Sequence, residues 1–384
     1  MPTITDLAIR KGVSTSPDPD TAVRELFEAI GAPADGLVVF FCAASYDLDR
    51  LGPALARHFG GTTTIGCTTA GEISPLGYLD GTLTGVSLEG PDFRVAAGRL
   101  DDLANFEFHR GHELVATLRR ELGRGASQAD STNTFGLLLV DGLSMREEAV
   151  VSALFQKLGS IPLFGGSAGD GLAFRRTRVY HEGRFHADAA VFALVQPGSP
   201  FEVFRTQHFV PSDKKMVVTK ADVSRRVVTE VNGEPAGREY AQMVGLEVDK
   251  LTPLIFATHP VVVRIGGQHY VRSIQKVNED ESLTFFCAIE EGLVLTVAQG
   301  VDLVQDLEGT FGNLAARLGP PRLVLGCDCV LRNLEMTRSD LKGRVGAILA
   351  ANNVIGFSTY GEQFNAMHVN QTFTGVAIGS RGAR

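Results

Sequence analysis

Two short motifs with the same pattern of hydroxyl, glycine and carboxylate residues stand far apart in the chain. One reads GCTTAGE from Gly66, and the other reads GFSTYGE from Gly356. A glycine between hydroxyl side chains and a carboxylate is typical of a tight turn where backbone amides and hydroxyls converge. We expect the two turns either to face each other across a cleft and bind a small ligand, or to satisfy local backbone groups only. The residues predicted to contact a ligand are Thr68, Thr69, Gly71, Glu72, Ser358, Thr359, Gly361 and Glu362.

Enzymatic chemistry is a weaker interpretation of the same motifs. Glu72 and Glu362 form a candidate carboxylate pair for acid/base work, and Cys67 is a candidate nucleophile without an identifiable base. The chain has no Walker loop, no dinucleotide-binding glycine motif after a strand and no nucleophile elbow. A binding protein is therefore favoured over an enzyme.

Cysteine usage indicates reduced thiols. The chain has five cysteines, and Cys327 with Cys329 forms a C-x-C without a second pair at zinc spacing. We expect buried, inert thiols, with a redox or metal role for Cys327 and Cys329 left open.

Charge and hydropathy exclude two further classes. The 384 residues carry a formal net charge of −8 without a basic run, so a nucleic-acid partner is not expected. The N-terminus lacks a secretory pattern, and no apolar stretch is long enough to span a bilayer. We expect a cytoplasmic protein with no membrane partner; homo-oligomerisation is left open.

The elements that must position these motifs alternate loosely between strands and helices. Apolar runs and periodicity predict strands over 37–42, 83–88, 135–140, 183–195 and 322–325, and helices over 20–31, 145–158, 234–244 and 301–318. Several apparent hairpins favour an α/β to α+β fold with mixed β-sheets flanked by helices over a doubly wound Rossmann sheet.

An internal duplication is the clearest organisational signal. Residues 66–88 and 356–378 align without a gap, with eight identities in 23 positions. A weaker third copy is suggested at FGGSAGD from Phe164. We predict two related domains, with a leader and first helix at 1–35, an N-terminal domain at 36–232 and a C-terminal domain at 233–384, separated near the turn Val231-Asn232-Gly233.

The sequence resembles the FIST family, with a FIST N-terminal domain followed by a FIST C-terminal domain. The motifs that carry the resemblance are GCTTAGEI, LLLVDGL, FGGSAGDG, VTEVNGEPA, CDCVLRNLE and GFSTYGEQFNAMHVNQTFTGVAIG. The resemblance implies a sensory module for small ligands in signal transduction. The closing MHVNQTFTGVAIG is similar to the nitric-oxide-sensing haemoproteins called NosP, which implies haem b as cofactor and a histidine kinase or a cyclic-di-GMP enzyme as partner.

If haem binds, a neutral imidazole is the expected proximal ligand. His368 is the predicted ligand because it lies inside the repeat, where its counterpart Tyr78 is another residue type that ligates haem iron. Met367 is expected as an apolar wall and Asn370 as a partner that orients the ring. His109 and His112 are expected to be a solvated pair. The histidines His58, His181, His186 and His208 lack supporting neighbours in the sequence and are expected to be surface or structural.

Three functional hypotheses follow. The first is a haem-based sensor of nitric oxide that regulates a separate protein. The second is a haem-free sensor of a small organic ligand such as an amino acid. The third is an enzyme that uses the glutamate pair or Cys67.

Overall fold

The chain folds into three successive βαβ-containing units and one inserted sheet. The computed structural model describes residues 6–123 and 128–381. The first unit contains β1 (Ala8–Ser14), α1 (Pro19–Ile30), β2 (Leu37–Ala43), α2 (Leu48–Phe59), β3 (Thr63–Thr69), β4 (Glu72–Ser74), β5 (Gly77–Leu79) and β6 (Leu83–Glu89). The second unit contains β7 (Arg94–Leu100), α3 (Phe108–Leu122), β8 (Phe135–Val140), α4 (Glu147–Leu158), β9 (Leu163–Ser167), β10 (Val179–His181), β11 (Arg184–His186) and β12 (Ala190–Gln196).

The third unit is interrupted after its first strand, β13 (Phe201–Thr206). The inserted region, residues 209–300, contains β14 (Phe209–Asp222), β15 (Val227–Val231), β16 (Glu234–Pro235), α5 (Ala236–Val244), α6 (Pro253–Thr258), β17 (Val261–Ile265), β18 (Gln268–Arg272), β19 (Ile274–Val277), β20 (Leu283–Phe285) and β21 (Val294–Gly300). The unit resumes with α7 (Leu303–Leu318), β22 (Leu323–Cys329), α8 (Val330–Arg338), α9 (Lys342–Ala351), β23 (Val354–Thr359), β24 (Glu362–Phe364), β25 (Met367–Val369) and β26 (Phe373–Ile378).

Each unit builds a mixed sheet on the same plan. A parallel pair forms the centre, β2 with β3, β8 with β9 and β22 with β23. The last strand of each unit (β6, β12 or β26) pairs antiparallel with the first strand of the parallel pair (β2, β8 or β22). The opening strand of the unit (β1, β7 or β13) pairs with this last strand on its other side. Because parallel strands need a crossover, α2 and α4 each connect one pair and α8 with α9 connects the third.

The short hairpins are exchanged around the three sheets. Hairpin β4–β5 of the first unit pairs with β23 of the third, and hairpin β24–β25 of the third pairs with β9 of the second. Hairpin β10–β11 of the second unit pairs with β3 of the first and closes the cycle. Each sheet is therefore completed by another unit, so the three units form one interlocked body.

The inner faces of the three sheets share one hydrophobic core. The fully buried run LVVFFCA in β2 places alternate side chains on this inner face and on the face covered by α1 and α2. Phe41 of the first unit stacks on Phe357 of the third, with ring centroids 4.6 Å apart. Helices cover the outer faces, and the inserted region has its own core against α5 and α6.

The predicted fold class is confirmed: mixed sheets are flanked by helices, and the repeated segments occupy equivalent places. The predicted helices correspond to α1, α4, α5 and α7. One expectation needs correction, because residues expected in a polar leader form β1, which pairs with β6. The third copy suggested at Phe164 belongs to the second unit, which has the same plan as the other two.

The expected domain boundary at 232–233 lies inside the inserted region, at the turn between β15 and β16. Residues 1–5 of the predicted leader lie outside the described residues. Over the two described ranges, no helix has both the length and the apolarity needed to cross a membrane.

Candidate functional site

Three turns meet where the second parallel strand of each unit ends. They are 69–72 after β3, 167–170 after β9 and 359–362 after β23. The first and third are joined by two hydrogen bonds, from Ala70 N–H to the Ser358 carbonyl (2.9 Å) and from Ser358 N–H to the Gly71 carbonyl (2.7 Å). The two turns that the sequence predicts to face each other therefore touch.

The second turn completes the ring. Gly169 N–H donates to the Thr68 carbonyl at 2.9 Å, and Tyr360 N–H donates to the Ser167 carbonyl at 3.3 Å. Tyr360 also donates its hydroxyl to the Asp170 carboxylate. The ring brings together the carboxyl ends of strands from all three sheets, which is where open α/β sheets bind ligands.

Glu72 and Glu362 each accept hydrogen bonds from the chain that follows their own hairpin. Oε2 of Glu72 accepts from the N–H (2.9 Å) and hydroxyl (2.8 Å) of Thr82, and Oε2 of Glu362 accepts from the N–H (3.1 Å) and hydroxyl (2.6 Å) of Thr372. Burial raises the pKa of Glu72 to about 7 and raises that of Glu362 well above its ordinary value. No hydrogen bond joins the two carboxyls in the described ranges, so the arrangement gives no support to an acid/base pair.

The remaining predicted contact residues are mostly enclosed in the ring. Thr68, Ser358 and Thr359 are buried, and their hydroxyl or backbone groups bond to neighbouring turns. Three of the predicted contact residues, Thr69, Gly71 and Glu72, line a pocket beside the ring, together with Asp170 of the second turn. Whether these residues contact a ligand stays a prediction.

His368 and Tyr78 occupy equivalent positions on the exchanged hairpins, His368 opposite Gln363 and Tyr78 opposite Ile73. Nε2 of Gln363 donates to the Gly361 carbonyl at 3.3 Å, so it also acts as donor toward Nδ1 of His368 at 3.3 Å. The ring proton of His368 is therefore on Nε2. Burial lowers the pKa of His368 to about 4, with the nearby Glu148 opposing that shift.

The residues around His368 do not fit a haem in this conformation. A Cβ placed on Gly361 would lie 2.3 Å from Cε1 and 2.7 Å from Nε2 of His368, so this ring edge abuts the backbone of Gly361. The imidazole is 2 % exposed. Met367 is partly exposed at the hairpin tip, and buried Asn370 accepts from Ser273 N–H at 3.5 Å. Haem ligation by His368 stays a prediction that requires the β24–β25 hairpin to move.

The other candidate groups form no reactive or metal-binding arrangement within the described ranges. All five cysteines are buried, and burial raises the pKa of Cys67, Cys327 and Cys329 well above the ordinary thiol value. This environment disfavours the thiolate needed for nucleophilic attack. His109 on α3 is exposed beside Glu107, and among the described residues no three His, Cys, Asp or Glu side chains are arranged to hold a metal ion.

A cleft opens on the outer side of the ring, between the first turn and α8. It has a volume of about 270 Å³ and is lined by Ala70, Gly171, Leu172, Val330, Asn333 and Lys342. A second pocket of about 200 Å³ shares Ala70, Asp80 and Gly171 with it. The two together are large enough for a small organic molecule with one apolar wall.

Asn333 supplies the most informative polar group of the cleft. Its Nδ2 donates to the Ala70 carbonyl at 3.2 Å, which fixes the orientation of the amide because a carbonyl only accepts. Its Oδ1 is buried without a hydrogen-bond donor in the described part of the chain. Asn333 is 8 % exposed, so this free acceptor is expected to have a partner that enters the cleft.

An ion pair lies at the rim. Lys342 Nζ is 2.6 Å from Asp80 Oδ2 and lies over the Tyr78 ring at 5.2 Å from its centroid. Asp80 Oδ1 and Asn333 Nδ2 both face Gly71, where an added Cβ would lie 3.0 and 3.1 Å from them. Gly71 has a φ of +133°, and this conformation with the close approach requires glycine. The cleft is thus lined by one cation, one anion and an asparagine whose buried oxygen has no donor in the described ranges.

Sequence reasoning missed Asn333, Lys342 and Asp80. Asn333 stands in the CDCVLRNLE segment, but only the fold shows that its amide reaches a turn 263 residues away. His208, expected to lack a constellation, is fully buried between Arg332 and Glu335. Asp141 and Asp170 accept hydrogen bonds from neighbouring backbone N–H groups, as loop-capping residues do.

Comparisons with known proteins place the chain in a family. An uncharacterized protein of Methanocaldococcus jannaschii is 24% identical in an alignment of 381 positions that covers 88% of this chain and 73% of that protein. The crystal structure of cyanuric acid hydrolase from A. caulinodans matches with a TM-score of 0.39 and 10% identity, over 97% of this chain and 99% of that one. The FIST N domain model matches residues 36–234, and the FIST C domain model matches residues 236–365. The chain therefore belongs to the FIST family, whose domains are signalling sensor domains, and this suggests binding of a small ligand.

Proposed function

We propose that this protein is a sensor that binds a small zwitterionic ligand of the amino-acid class in the cleft between the first turn and α8. The observation that carries the proposal is that Asn333, which lines the cleft, has a buried Oδ1 without a donor in the described ranges. A ligand ammonium group would donate to this oxygen. Leu172, Val330 and Leu334 would contact the apolar part of the ligand.

The ion pair at the rim suits both charges of a zwitterion. Asp80 would attract the ammonium group and Lys342 the carboxylate, so that the ligand replaces their mutual contact. Asp80 has a side chain that is 68% exposed, and exposed ion pairs contribute about 0–1 kcal/mol. Satisfying a buried acceptor recovers about 1–3 kcal/mol. The exchange of partners is therefore favourable.

The test is binding of the common L-amino acids, measured by thermal shift and then by calorimetry. We expect at least one to raise the Tm of the wild type and to bind at least about tenfold more weakly to Asn333→Leu, which removes about 1.4 kcal/mol or more of interaction. Lys342→Gln is expected to weaken binding as well. Lys250→Gln is the matched control, because Lys250 also pairs with an exposed aspartate, Asp249, away from the cleft.

The proposal fails if no amino acid binds, or if binding is unchanged in both cleft variants. Haem binding, nitric oxide sensing and a histidine kinase or cyclic-di-GMP enzyme as partner stay proposals that rest on the resemblance to NosP. An absorption spectrum of the reduced protein with and without nitric oxide, repeated for His368→Ala, tests them. Loss of a haem spectrum only in a different histidine variant would refute His368 as ligand.

A further inference from the structure

Both chain crossings between the third unit and the inserted region meet at His208. The chain enters the inserted region between β13 and β14, where His208 lies, and returns after β21 at Val301. Val301 N–H donates to the His208 carbonyl at 2.7 Å, which ties the two crossings together. Any rotation of the inserted region relative to the three sheets must change the backbone around this residue.

The His208 side chain is held by α8. Nδ1 of His208 lies 2.7 Å from Nη1 of Arg332, and Nε2 lies 2.9 Å from Oε2 of Glu335. Arginine only donates, so Nδ1 accepts and the ring proton is on Nε2, from which it is donated to Glu335. His208 is 0% exposed, and burial lowers its pKa, which keeps this neutral tautomer.

The same helix forms one wall of the cleft. Asn333, next to Arg332, reaches the Ala70 carbonyl, while Arg332 is anchored to Asp328 of β22 at 2.6 Å. Helix α8 also packs against α6 of the inserted region, where Ala257 joins the cluster around Leu331. One helix thus contacts the cleft, the crossing point and the inserted region.

We propose that occupancy of the cleft is transmitted through α8 and His208 to the orientation of the inserted region, residues 209–300. The inference rests on the proposed function, since it requires a ligand in the cleft. A ligand that bonds to Asn333 pulls on the helix whose neighbouring residues hold His208. Because these contacts are buried and directional, the helix and the crossing point move together rather than independently. The inserted region is then the part of the chain that reports the ligand to a partner.

The test measures the distance between spin labels on cysteines introduced at Arg57 and Glu279, which are exposed in the first unit and in the inserted region. All native cysteines are buried, which favours selective labelling. The probe is a mixture of the common L-amino acids. We expect it to shift the distance in the wild type and in Glu335→Gln, which keeps an acceptor for Nε2, but not in Glu335→Met. Glu308→Met, at an exposed position on α7, is the control and keeps the shift.

Coupling is reciprocal, so Glu335→Met must also change amino-acid affinity, by about fivefold or more. If the mixture raises Tm but the distance stays constant in the wild type, the inference is wrong while the proposed function stands. If nothing binds, the proposed function fails, and hydrogen exchange without ligand decides the coupling. Amide hydrogen exchange in Glu335→Met must then be faster than in the wild type, both in the first turn and in strands β14 and β21. A rise confined to α8 would overturn the inference.

Discussion

Replacing His368 with asparagine should remove a specific part of the acid sensitivity of this protein. Burial lowers the pKa of His368 from 6.5 to about 4; Glu148 opposes this shift, while Arg226 and Arg272 reinforce it. Between these two pH values the unfolded chain binds a proton that the folded chain does not. Stability from the neutral ring is therefore complete above pH 6.5 and is lost as pH falls.

The magnitude follows from the two pKa values. At pH 5 the difference in proton binding lowers the free energy of unfolding by about 2 kcal/mol relative to pH 8. Asparagine at this position keeps an acceptor toward Gln363 but has no titrating group. Burial raises the pKa of Glu72 and of Glu147 to about 7, and these carboxyls favour the folded state at low pH. They are present in both proteins, so the difference between wild type and variant reports the titration of His368 together with its interaction with Glu148.

The assay is urea unfolding of wild type and His368→Asn at several pH values from 8 to 5. We expect the stability difference between them to change by about 2 kcal/mol over this range, in favour of the variant at low pH. His109→Asn is the control, because the His109 ring is exposed to solvent. A difference that stays constant with pH would refute the enclosed, neutral imidazole and would reopen a solvent-accessible site at His368.

Two further predictions concern packing around the same hairpin and the inserted region. Arg226 pairs with Glu147 and Glu148 at 2.6 Å each. Arg226→Gln should therefore lower the free energy of unfolding by about 3–5 kcal/mol in urea titrations. A loss below about 1 kcal/mol would contradict a buried ion pair. Gly361→Ala places a Cβ against His368 and should cost about 1–3 kcal/mol by the same measurement. Gly309→Ala, at an open position on α7, should instead leave stability unchanged or raise it.

The sequence was sufficient to detect the duplication because its glycines recur at the same positions in both copies. Gly66, Gly71 and Gly85 match Gly356, Gly361 and Gly375, and an added Cβ at each of these positions would meet a backbone or side-chain atom at less than 3.2 Å. Such positions resist substitution in any copy of the turn. The buried strand runs were equally readable, because a strand covered on both faces is apolar throughout.

The threefold repeat was less visible than the duplication for two physical reasons. The turn of the second unit, Ser167-Ala168-Gly169-Asp170, is followed by a loop capped by Asp170 rather than directly by a hairpin. The last unit is split by the inserted region, which places β13 and α7 almost 100 residues apart. The local sequence pattern indicates neither the loop after this turn nor the insertion into the last unit.

Only the tertiary structure decided which groups form the cleft. Hairpin exchange is invisible in sequence, because the pattern of a strand shows which face is buried but does not show which sheet edge it joins. Asn333 reaches Ala70 across 263 residues, and Arg332 reaches His208 across 124. These pairs depend on how three sheets close around one core, so the sequence determined the repeated turns, and the packing of the units determined what lies between them.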